Sequence, residues 1–461
     1  MEDKNQEPEF SFITETIKDK PINKRRVLFK MLWVVLCGII FGLIAALTFV
    51  VAVPKMKLLV EPQPDTTVTI PKDQMEGEET QSGEEGQNPD AEADGQQSGG
   101  NQNAPEQGNQ PDDNQQGETQ EQQPVMPEPI YIEQELEAED YQALQNKIYA
   151  IGKKANRSVV TVTGVTSNTD WFDSAYESEN QASGIIIANN GQELLILTEK
   201  KVITNAEAIS ITFINGEVVP ATLKKYDANT GISIISVNLE EIAEDTMNKI
   251  EIATLGNSLA VTQGTVVIAI GSPMGSNYSI LTGNITTSEN TVSTWDSTYT
   301  IFTTDIMGSE AGSGVLLNLN GEVVGLVMQD YSSVGDQNTL TALSISQLKD
   351  IIEDLSNGKA IPYLGMKLST VTDEIAREYG IPNGVYIKSV ETDVPSPAMN
   401  AGLLEADVIV GMNGEEIMTV EQYTQMLLSL SPEQSVKIKV LRQNGEEYVE
   451  MEFTATVGVL Q

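Results

Sequence analysis

Apolar and polar positions divide the chain into three stretches of different character. Val27 to Val53 is an almost unbroken apolar run that contains one charged residue, Lys30. About 20 apolar residues cross a bilayer, so the run predicts a transmembrane helix at 29–53. Residues 54–130 are rich in Gln, Glu, Gly and Pro, and such a composition buries too little apolar surface to fold. This second stretch is therefore predicted to be a disordered acidic linker.

Beyond the linker, short apolar runs separated by Gly, Asn and Pro turns predict a β-rich domain. Residues 132–154 have helical spacing, with Leu136, Leu144, Ile148 and Ile151 on one face, and residues 344–355 form a closing amphipathic pattern. The runs between these helices are typical of an all-β barrel or sandwich. The predicted strands are Ser158–Thr163, Gly184–Ala188, Leu194–Thr198, Ile209–Phe213, Ile232–Val237, Val266–Ile270, Asn284–Ser288 and Tyr299–Thr303.

Basic residues at one end of the apolar run predict its orientation. Lys24, Arg25 and Arg26 precede the run, which places residues 1–28 in the cytoplasm and the C-terminal domains outside the cell. A cleaved signal peptide is the alternative, but the run is long for one and no convincing cleavage site follows it. We therefore expect a single-pass protein of the cell membrane.

Charge and composition narrow the possible chemistry. The 461 residues carry a formal net charge of -40 at pH 7, with no histidine and one cysteine, Cys37. Phosphate binding needs clustered Lys and Arg, so nucleic acid is not an expected partner. The lack of histidine removes the commonest zinc ligand and the commonest general base, and a single cysteine excludes an intramolecular disulfide. No cofactor or metal is predicted.

A glycine-rich loop followed by a hairpin is the stretch with the most chemical interest. Asn318 to Gly321 lies between two apolar runs, which is a strong hairpin pattern. The preceding loop, residues 308–314, consists largely of small residues that can point backbone N–H groups into an oxyanion hole. Glycine-serine loops are more often simple turns, so this loop alone does not establish a site.

Several segments, in the correct order, resemble the trypsin-fold serine proteases of the HtrA/DegP type. They are Ser183–Ile187, Leu197–Val202, Asp227–Ile235, Ala269–Gly275 and Thr303–Val327. The resemblance implies a trypsin-like double β-barrel over residues 131–357. Residues 358–461 resemble a PDZ domain instead. The expected fold is therefore mainly β, with a double barrel followed by an α+β PDZ domain and preceded by the transmembrane helix and the acidic linker.

The PDZ resemblance centres on Tyr363-Leu364-Gly365-Met366, which is similar to the carboxylate-binding loop of that family. The resemblance implies that the backbone N–H groups of this loop hold a peptide C-terminus beside a helix at 421–430. Expected partners are peptides, or unfolded or membrane proteins that present them. The family also suggests a homotrimer, or a hetero-oligomer with an active homologue. A domain that serves only for packing is the alternative.

Residue by residue, the family's catalytic positions correspond to Lys201 for histidine, Gly231 for aspartate, and either Ser313 or Gly312 for serine, because the loop is one residue shorter here. A serine needs a base within hydrogen-bond reach, and the aspartate serves to orient an imidazole that this sequence lacks. We therefore predict a pseudoprotease that acts as a peptide-binding or regulatory scaffold.

Two alternatives stay open. One is an active endopeptidase of protein quality control that uses a Ser-Lys dyad of Ser313 and Lys201. It requires the pKa of Lys201 to fall by about three units, and Glu199 and Glu310 nearby in sequence oppose that fall. The other alternative is a structural tether across the cell wall, which the acidic linker suggests.

Overall fold

Two closed six-stranded barrels form the centre of the molecule. The computed structural model describes residues 66–73, 137–169, 175–333 and 338–460. The first barrel has the strand order β1-β2-β3-β6-β5-β4 and the second β10-β11-β12-β9-β8-β7, which confirms the predicted double barrel. The strands are β1 Val159–Thr169, β2 Ala175–Asn189, β3 Glu193–Glu199, β4 Ala208–Thr212, β5 Val218–Asp227, β6 Ile232–Asn238, β7 Val266–Ser272, β8 Ser279–Ser293, β9 Thr298–Met307, β10 Ser313–Leu317, β11 Val323–Met328 and β12 Thr339–Ser344.

Burial on both faces explains why the central strands are continuous apolar runs. In β3, Leu194 and Ile196 belong to the core inside the first barrel. Leu195 and Leu197 point the other way and join a cluster that also contains Ile270 of the second barrel. Successive side chains of a strand alternate between its two faces, so a strand between two cores has no polar face. The Asn318–Gly321 hairpin is confirmed, since it joins β10 to β11 with Gly321 at φ 82°.

Helices flank the barrels at both ends. Helix α1 is Ala138–Ala155, and Ile148 of its predicted apolar face is buried. Leu144 of the same predicted face is 54% exposed, because only the C-terminal half of α1 lies on the second barrel; Leu136 lies outside the described residues. The other helices of this region are short α2 Lys200–Ile203, α3 Glu244–Met247 and the closing α4 Lys349–Ser356.

A short piece of the predicted linker is part of the folded domain. Val68 and Ile70 are buried in the core cluster of the barrels, next to side chains of α4. The Val68 N–H donates to Asn357 Oδ1 (2.8 Å) and the Ile70 N–H to Glu353 Oε2 (2.8 Å). The disordered assignment of residues 54–130 is therefore wrong for 66–73, because the alternating β-branched residues there find an apolar surface and backbone partners. The rest of that assignment lies outside the described residues.

The C-terminal domain is a separate sheet with its own core. Its strands are hydrogen-bonded in the order β13-β14-β15-β17-β18, with β16 beside β15. Leu364, Tyr423 and Ile438 belong to a core cluster distinct from those of the barrels. The elements are β13 Met366–Val371, α5 Asp373–Tyr379, β14 Gly384–Val390, α6 Pro397–Ala401, β15 Val408–Met412, β16 Glu415–Glu416, α7 Val420–Leu428, β17 Ser435–Asn444 and β18 Glu447–Thr456.

The predicted transmembrane helix at 29–53 and the cytoplasmic tail at 1–28 lie outside the described residues. Within the described ranges, no helix has the length and apolar character needed to cross a membrane.

The docked segment 66–73 should contribute to stability through a buried ion pair. Asp73 accepts hydrogen bonds from Lys349 Nζ (2.7 Å) and Ser346 Oγ, and the Lys349 side chain is only 3% exposed. Asp73→Asn would leave a buried ammonium without its anion, so we expect the free energy of unfolding to fall by up to about 3 kcal/mol in denaturant titrations. Asp354→Asn removes the exposed pair with Lys359 and should cost less than about 1 kcal/mol. Equal losses in the two variants would contradict this role.

Candidate functional site

Ser313, the candidate nucleophile, is not presented to solvent. It is the first residue of β10, paired with Ser272 of β7 and Met328 of β11, and it is 1% exposed. Its Oγ accepts a hydrogen bond from the backbone N–H of Ser183 in the first barrel (3.0 Å). Among the described residues, no basic side chain forms a hydrogen bond with it. The hydroxyl therefore has a structural partner and lacks both a base and an open path to substrate.

Gly312, the other candidate for this position, has no side chain and no room for one. A Cβ on Gly312 would lie 2.8 Å from the carbonyl oxygens of both Pro273 and Ser309. Its backbone N–H, which could have served an oxyanion hole, already donates to Ser309 O (2.7 Å). Whichever residue corresponds to the family's nucleophile, the loop offers no accessible hydroxyl at that point.

Lys201, at the histidine-equivalent position, is held by two carboxylates. It lies in α2 directly after β3, and its Nζ is 2.6 Å from Glu199 Oε2 and 3.5 Å from Asp330 Oδ1. Glu199 was expected from the sequence to lie nearby. Asp330 was not, because it follows β11 and is distant in sequence, while Glu310, which was expected, is an exposed loop residue without an ion pair to Lys201 among the described residues.

The charges at this site keep the lysine protonated. Partial burial of Lys201 disfavours its charge, but the nearby carboxylates of Glu199 and Asp330 outweigh this effect and raise the pKa of Lys201. Burial raises the pKa of Glu199 to about 7, although contact with Lys201 partly offsets the shift. A lysine base would need its pKa lowered towards neutrality, so this environment shifts the pKa in the wrong direction for a dyad.

Gly231, at the aspartate-equivalent position, lies close to the other two but supplies only backbone. Its φ is 77°, a conformation that favours glycine, and its carbonyl accepts the Lys200 N–H (2.7 Å). A Cβ there would stand 3.4 Å from Cε of Met328, the residue paired with Ser313. Gly231 thus lies beside Lys200 and near Met328, the strand partner of Ser313.

Asp227, a second buried acid besides Glu199, forms its hydrogen bonds within a turn. Its carboxylate accepts hydrogen bonds from the Asn229 N–H, the Thr230 N–H and the Thr230 hydroxyl. Burial raises the pKa of Asp227 and these hydrogen bonds oppose the rise. With its donors supplied by its own turn, Asp227 orients the loop between β5 and β6 and does not reach Lys201.

The PDZ loop at Tyr363–Met366 holds a carboxylate that belongs to the chain itself. Asp296 Oδ2 accepts the N–H groups of Leu364 (2.8 Å) and Gly365 (2.7 Å). Asp296 Oδ1 accepts the Met366 N–H (3.2 Å) and the Tyr423 hydroxyl (2.8 Å). The loop N–H groups therefore bind the side-chain carboxylate of an aspartate from the turn between β8 and β9, whereas the sequence predicted the C-terminus of a peptide.

Asp296 is a functional candidate that the sequence did not reveal. It is 4% exposed, and burial raises its pKa while the donors at Gly365, Leu364 and Tyr423 oppose the rise. Four donors directed at two oxygens are the arrangement that satisfies an ionised carboxylate. A lone aspartate in a Trp-Asp-Ser turn carries no pattern that distinguishes it from an ordinary turn residue.

Tyr363, the first residue of the loop, has a structural role. Its backbone N–H and carbonyl both bond to Gly458 (2.9 Å each), which ties the loop to the C-terminal end of the domain. Burial raises the pKa of its hydroxyl. Leu364 and Met366 are fully buried, so their side chains belong to the domain core and only their backbone faces the carboxylate.

No candidate metal site is found in the part of the chain that the structure describes. Across residues 66–73, 137–169, 175–333 and 338–460, no three His, Cys, Asp or Glu side chains are grouped so that they could hold an ion.

The two closed barrels define a trypsin-like fold. The separate sheet domain that follows them in sequence has a loop that binds a carboxylate, which is typical of a peptide-recognition domain. The family model described as Trypsin-like peptidase domain matches residues 182–326, and the model described as PDZ domain matches residues 362–453. Both matches lie where the structure has the corresponding domain.

The curated relatives that the chain resembles are described as serine proteases of the HtrA/DegP type. The chain is 29% identical over 288 residues to "Probable periplasmic serine endoprotease DegP-like" of Halomonas elongata, covering 61% of this chain and 57% of that protein. It is 27% identical over 330 residues to "Serine protease Do-like HtrA" of Bacillus subtilis, covering 66% and 71%. The chain thus spans little more than half the length of the first of these relatives.

Solved structures share the fold. "HtrA-type protease AlgW with decapeptide" superposes with a TM-score of 0.51 at 20% identity, covering 68% of this chain and 99% of that one. "HtrA-type protease AlgW with tripeptide" gives a TM-score of 0.50 at 23% identity, covering 68% and 97%. The chain therefore has a trypsin-like peptidase domain followed by a C-terminal PDZ domain, and it is similar to serine proteases of the HtrA/DegP type.

Burial of Glu199 should make stability depend on pH. Its pKa is raised from 4.5 to about 7, so the folded chain binds this proton more tightly than the unfolded chain does. The resulting stability is fully present below pH 4.5 and is lost as the pH rises through 7, by about 3 kcal/mol in all. We expect Glu199→Gln to remove this loss, measured as the difference in unfolding free energy between the two proteins at pH 4.5 and pH 8. A difference that is the same at both pH values would contradict it.

Proposed function

We propose that this chain is a membrane-anchored, extracytoplasmic HtrA-like protein without peptidase activity, whose remaining function is to bind peptide C-termini through its PDZ domain. The observation that carries the proposal is the state of the triad-equivalent positions. The sequence has no histidine, Lys201 is paired with Glu199 and Asp330, and Ser313 is buried. A serine without a base loses several orders of magnitude in rate.

The Ser-Lys dyad finds no support in this geometry. It needs an uncharged lysine within hydrogen-bond reach of an accessible serine. Lys201 has a raised pKa and its Nζ lies against carboxylates, while the Ser313 hydroxyl bonds to a backbone N–H. Lys201 and Gly231 therefore occupy the former catalytic positions without a catalytic role, and Ser313 is a buried structural residue.

Peptide binding is supported by the domain and by its relatives. The Leu364–Met366 loop offers three backbone donors that already accommodate a carboxylate. A solved HtrA-type protease of the same fold holds a decapeptide. Curated relatives described as periplasmic favour a location outside the cytoplasm, and the apolar run at 27–53 favours attachment by a single helix.

A structural tether is the second candidate, and two observations bear on it in opposite directions. The loop is occupied by Asp296, which favours a domain whose groove is closed. However, Val68 and Ile70 pack in the same cluster as Ile148 of α1, so the acidic stretch between residues 73 and 137 starts and ends on the barrels. A segment with both ends on one domain adds no length to a tether.

Chemical labelling tests the loss of activity. We expect a serine-directed fluorophosphonate to label the purified chain no more than its Ser313→Ala variant, because the hydroxyl is buried and lacks a base. An HtrA-type protease that retains its histidine is the positive control, with casein degradation as a second measurement. Labelling that disappears in both Ser313→Ala and Lys201→Ala would overturn the proposal in favour of the dyad.

Peptide titration tests the binding function. Residues 358–461 have their own core, and without the barrels their loop has no Asp296. We expect this domain to bind peptides that end in an apolar residue with a free carboxylate at micromolar Kd, about -8 kcal/mol. Amidation of the peptide C-terminus should abolish binding, because it removes the charge that the loop donors recognise. Equal binding of acid and amide peptides would show that the loop is not the binding site.

A further inference from the structure

The backbone of Asp296, as well as its side chain, is bound by the PDZ domain. Its N–H donates to the Met366 carbonyl (2.6 Å), and its own carbonyl accepts the Thr424 hydroxyl from α7 (2.9 Å). An added peptide residue at a sheet edge makes this kind of main-chain contact while its carboxylate lies in the loop. Asp296 thus reproduces, with one residue, both interactions that a peptide C-terminus would make.

The turn that carries Asp296 is built to present it. Thr294, Trp295, Asp296 and Ser297 connect β8 to β9, closed by the bond from the Thr294 N–H to Ser297 O (3.0 Å). Asp296 has φ 59°, in the left-handed region that Asp tolerates better than most residues. This conformation places its side chain at the tip of the turn, in the PDZ loop.

We propose that Asp296 is an internal ligand of the PDZ domain, and that a peptide with a free C-terminal carboxylate binds the intact chain only by displacing the 294–297 turn. This inference rests on the proposed peptide-binding function. The donors of Leu364, Gly365 and Met366 can serve one carboxylate at a time, and two carboxylates in one cradle repel each other. The apparent affinity for a peptide is therefore lowered by the fraction of molecules in which the turn is released.

The chemistry of the contact favours a ligand over simple packing. Burying a carboxylate is costly unless every oxygen is matched, and an apolar pair of similar volume would hold two domains together at least as well. Among the described residues, every donor that contacts the Asp296 carboxylate comes from the PDZ domain: three are backbone N–H groups of its loop and one is a hydroxyl of its helix α7. Charge-assisted bonds of this kind are specific for a carboxylate.

The turn also contacts the first barrel beside the triad-equivalent positions. The side chain of Asn229 donates to the Trp295 carbonyl (2.7 Å) and accepts the Trp295 N–H (2.9 Å). Asn229 belongs to the turn between β5 and β6 that leads to Gly231. The Asn229 amide also donates to Thr294 Oγ1 (3.3 Å), so a peptide that displaces the 294–297 turn removes three hydrogen bonds from the loop where the family carries its aspartate.

Two measurements on residues 66–461 of the chain test the inference. Asp296→Ala and Asp296→Asn remove the internal carboxylate, whereas Glu289→Gln removes an exposed charge from the same hairpin and is the control. We expect both Asp296 variants to bind a free-carboxylate peptide at least about tenfold more tightly than the unaltered chain and the control do. We also expect hydrogen exchange of the Leu364, Gly365 and Met366 amides to accelerate at least about tenfold in the Asp296 variants without peptide.

The outcomes separate this inference from the function on which it rests. Unchanged amide exchange in Asp296→Ala overturns the internal ligand, whatever the peptide does. Faster exchange with equal peptide affinity in all proteins also overturns it, because the groove was then never blocked. Faster exchange without peptide binding to any variant upholds the internal carboxylate contact and overturns both the peptide-displacement step and the proposed peptide-binding function.

Discussion

The buried carboxylate of Asp296 is the interaction on which the arrangement of the C-terminal half depends. Its donors come from the loop before β13 and from α7, so both elements of the PDZ groove are fixed relative to the β8–β9 turn. Removing the Asp296 carboxylate would leave buried donors without a partner, which typically costs about 1–3 kcal/mol for each such group. The contact between the barrels and the PDZ domain therefore combines charge-assisted bonds to Asp296 with apolar packing, since Leu428 of α7 packs against the core cluster of the barrels.

The triad-equivalent positions illustrate how a catalytic centre is reorganised when its base is absent. The positive charge of Lys201 lies against the carboxylates of Glu199 and Asp330. Without this lysine, the two acidic side chains would have no cation beside them at a half-buried site. Gly231 keeps a positive φ that most side chains would strain. The geometry of these positions thus follows from the pairing of Lys201 with two carboxylates, without any reference to a substrate.

Much of the fold can be predicted from the sequence because it depends on local patterns. The Asn318–Gly321 turn and the apolar runs of β3, β6 and β7 follow from turn chemistry and burial on two faces. The candidate functional site could be predicted only in part. The pairing of Lys201 with Asp330 and of Asp296 with Gly365 joins residues far apart in sequence, and charge pairs of this kind leave no spacing pattern. Val68 and Ile70 did show alternation, but the acidic composition around them hid it.

Docking of residues 66–73 changes what a cut in the acidic stretch would do. Val68 and Ile70 are anchored in the core, and their backbone bonds to Asn357 and Glu353 would persist after a peptide bond between 74 and 136 is broken. The two fragments would then remain associated as a non-covalent complex, with residues 66–73 bound to the larger fragment. Proteolysis between residues 74 and 136 would cut the chain, but the barrels and the PDZ domain would stay bound to the N-terminal fragment.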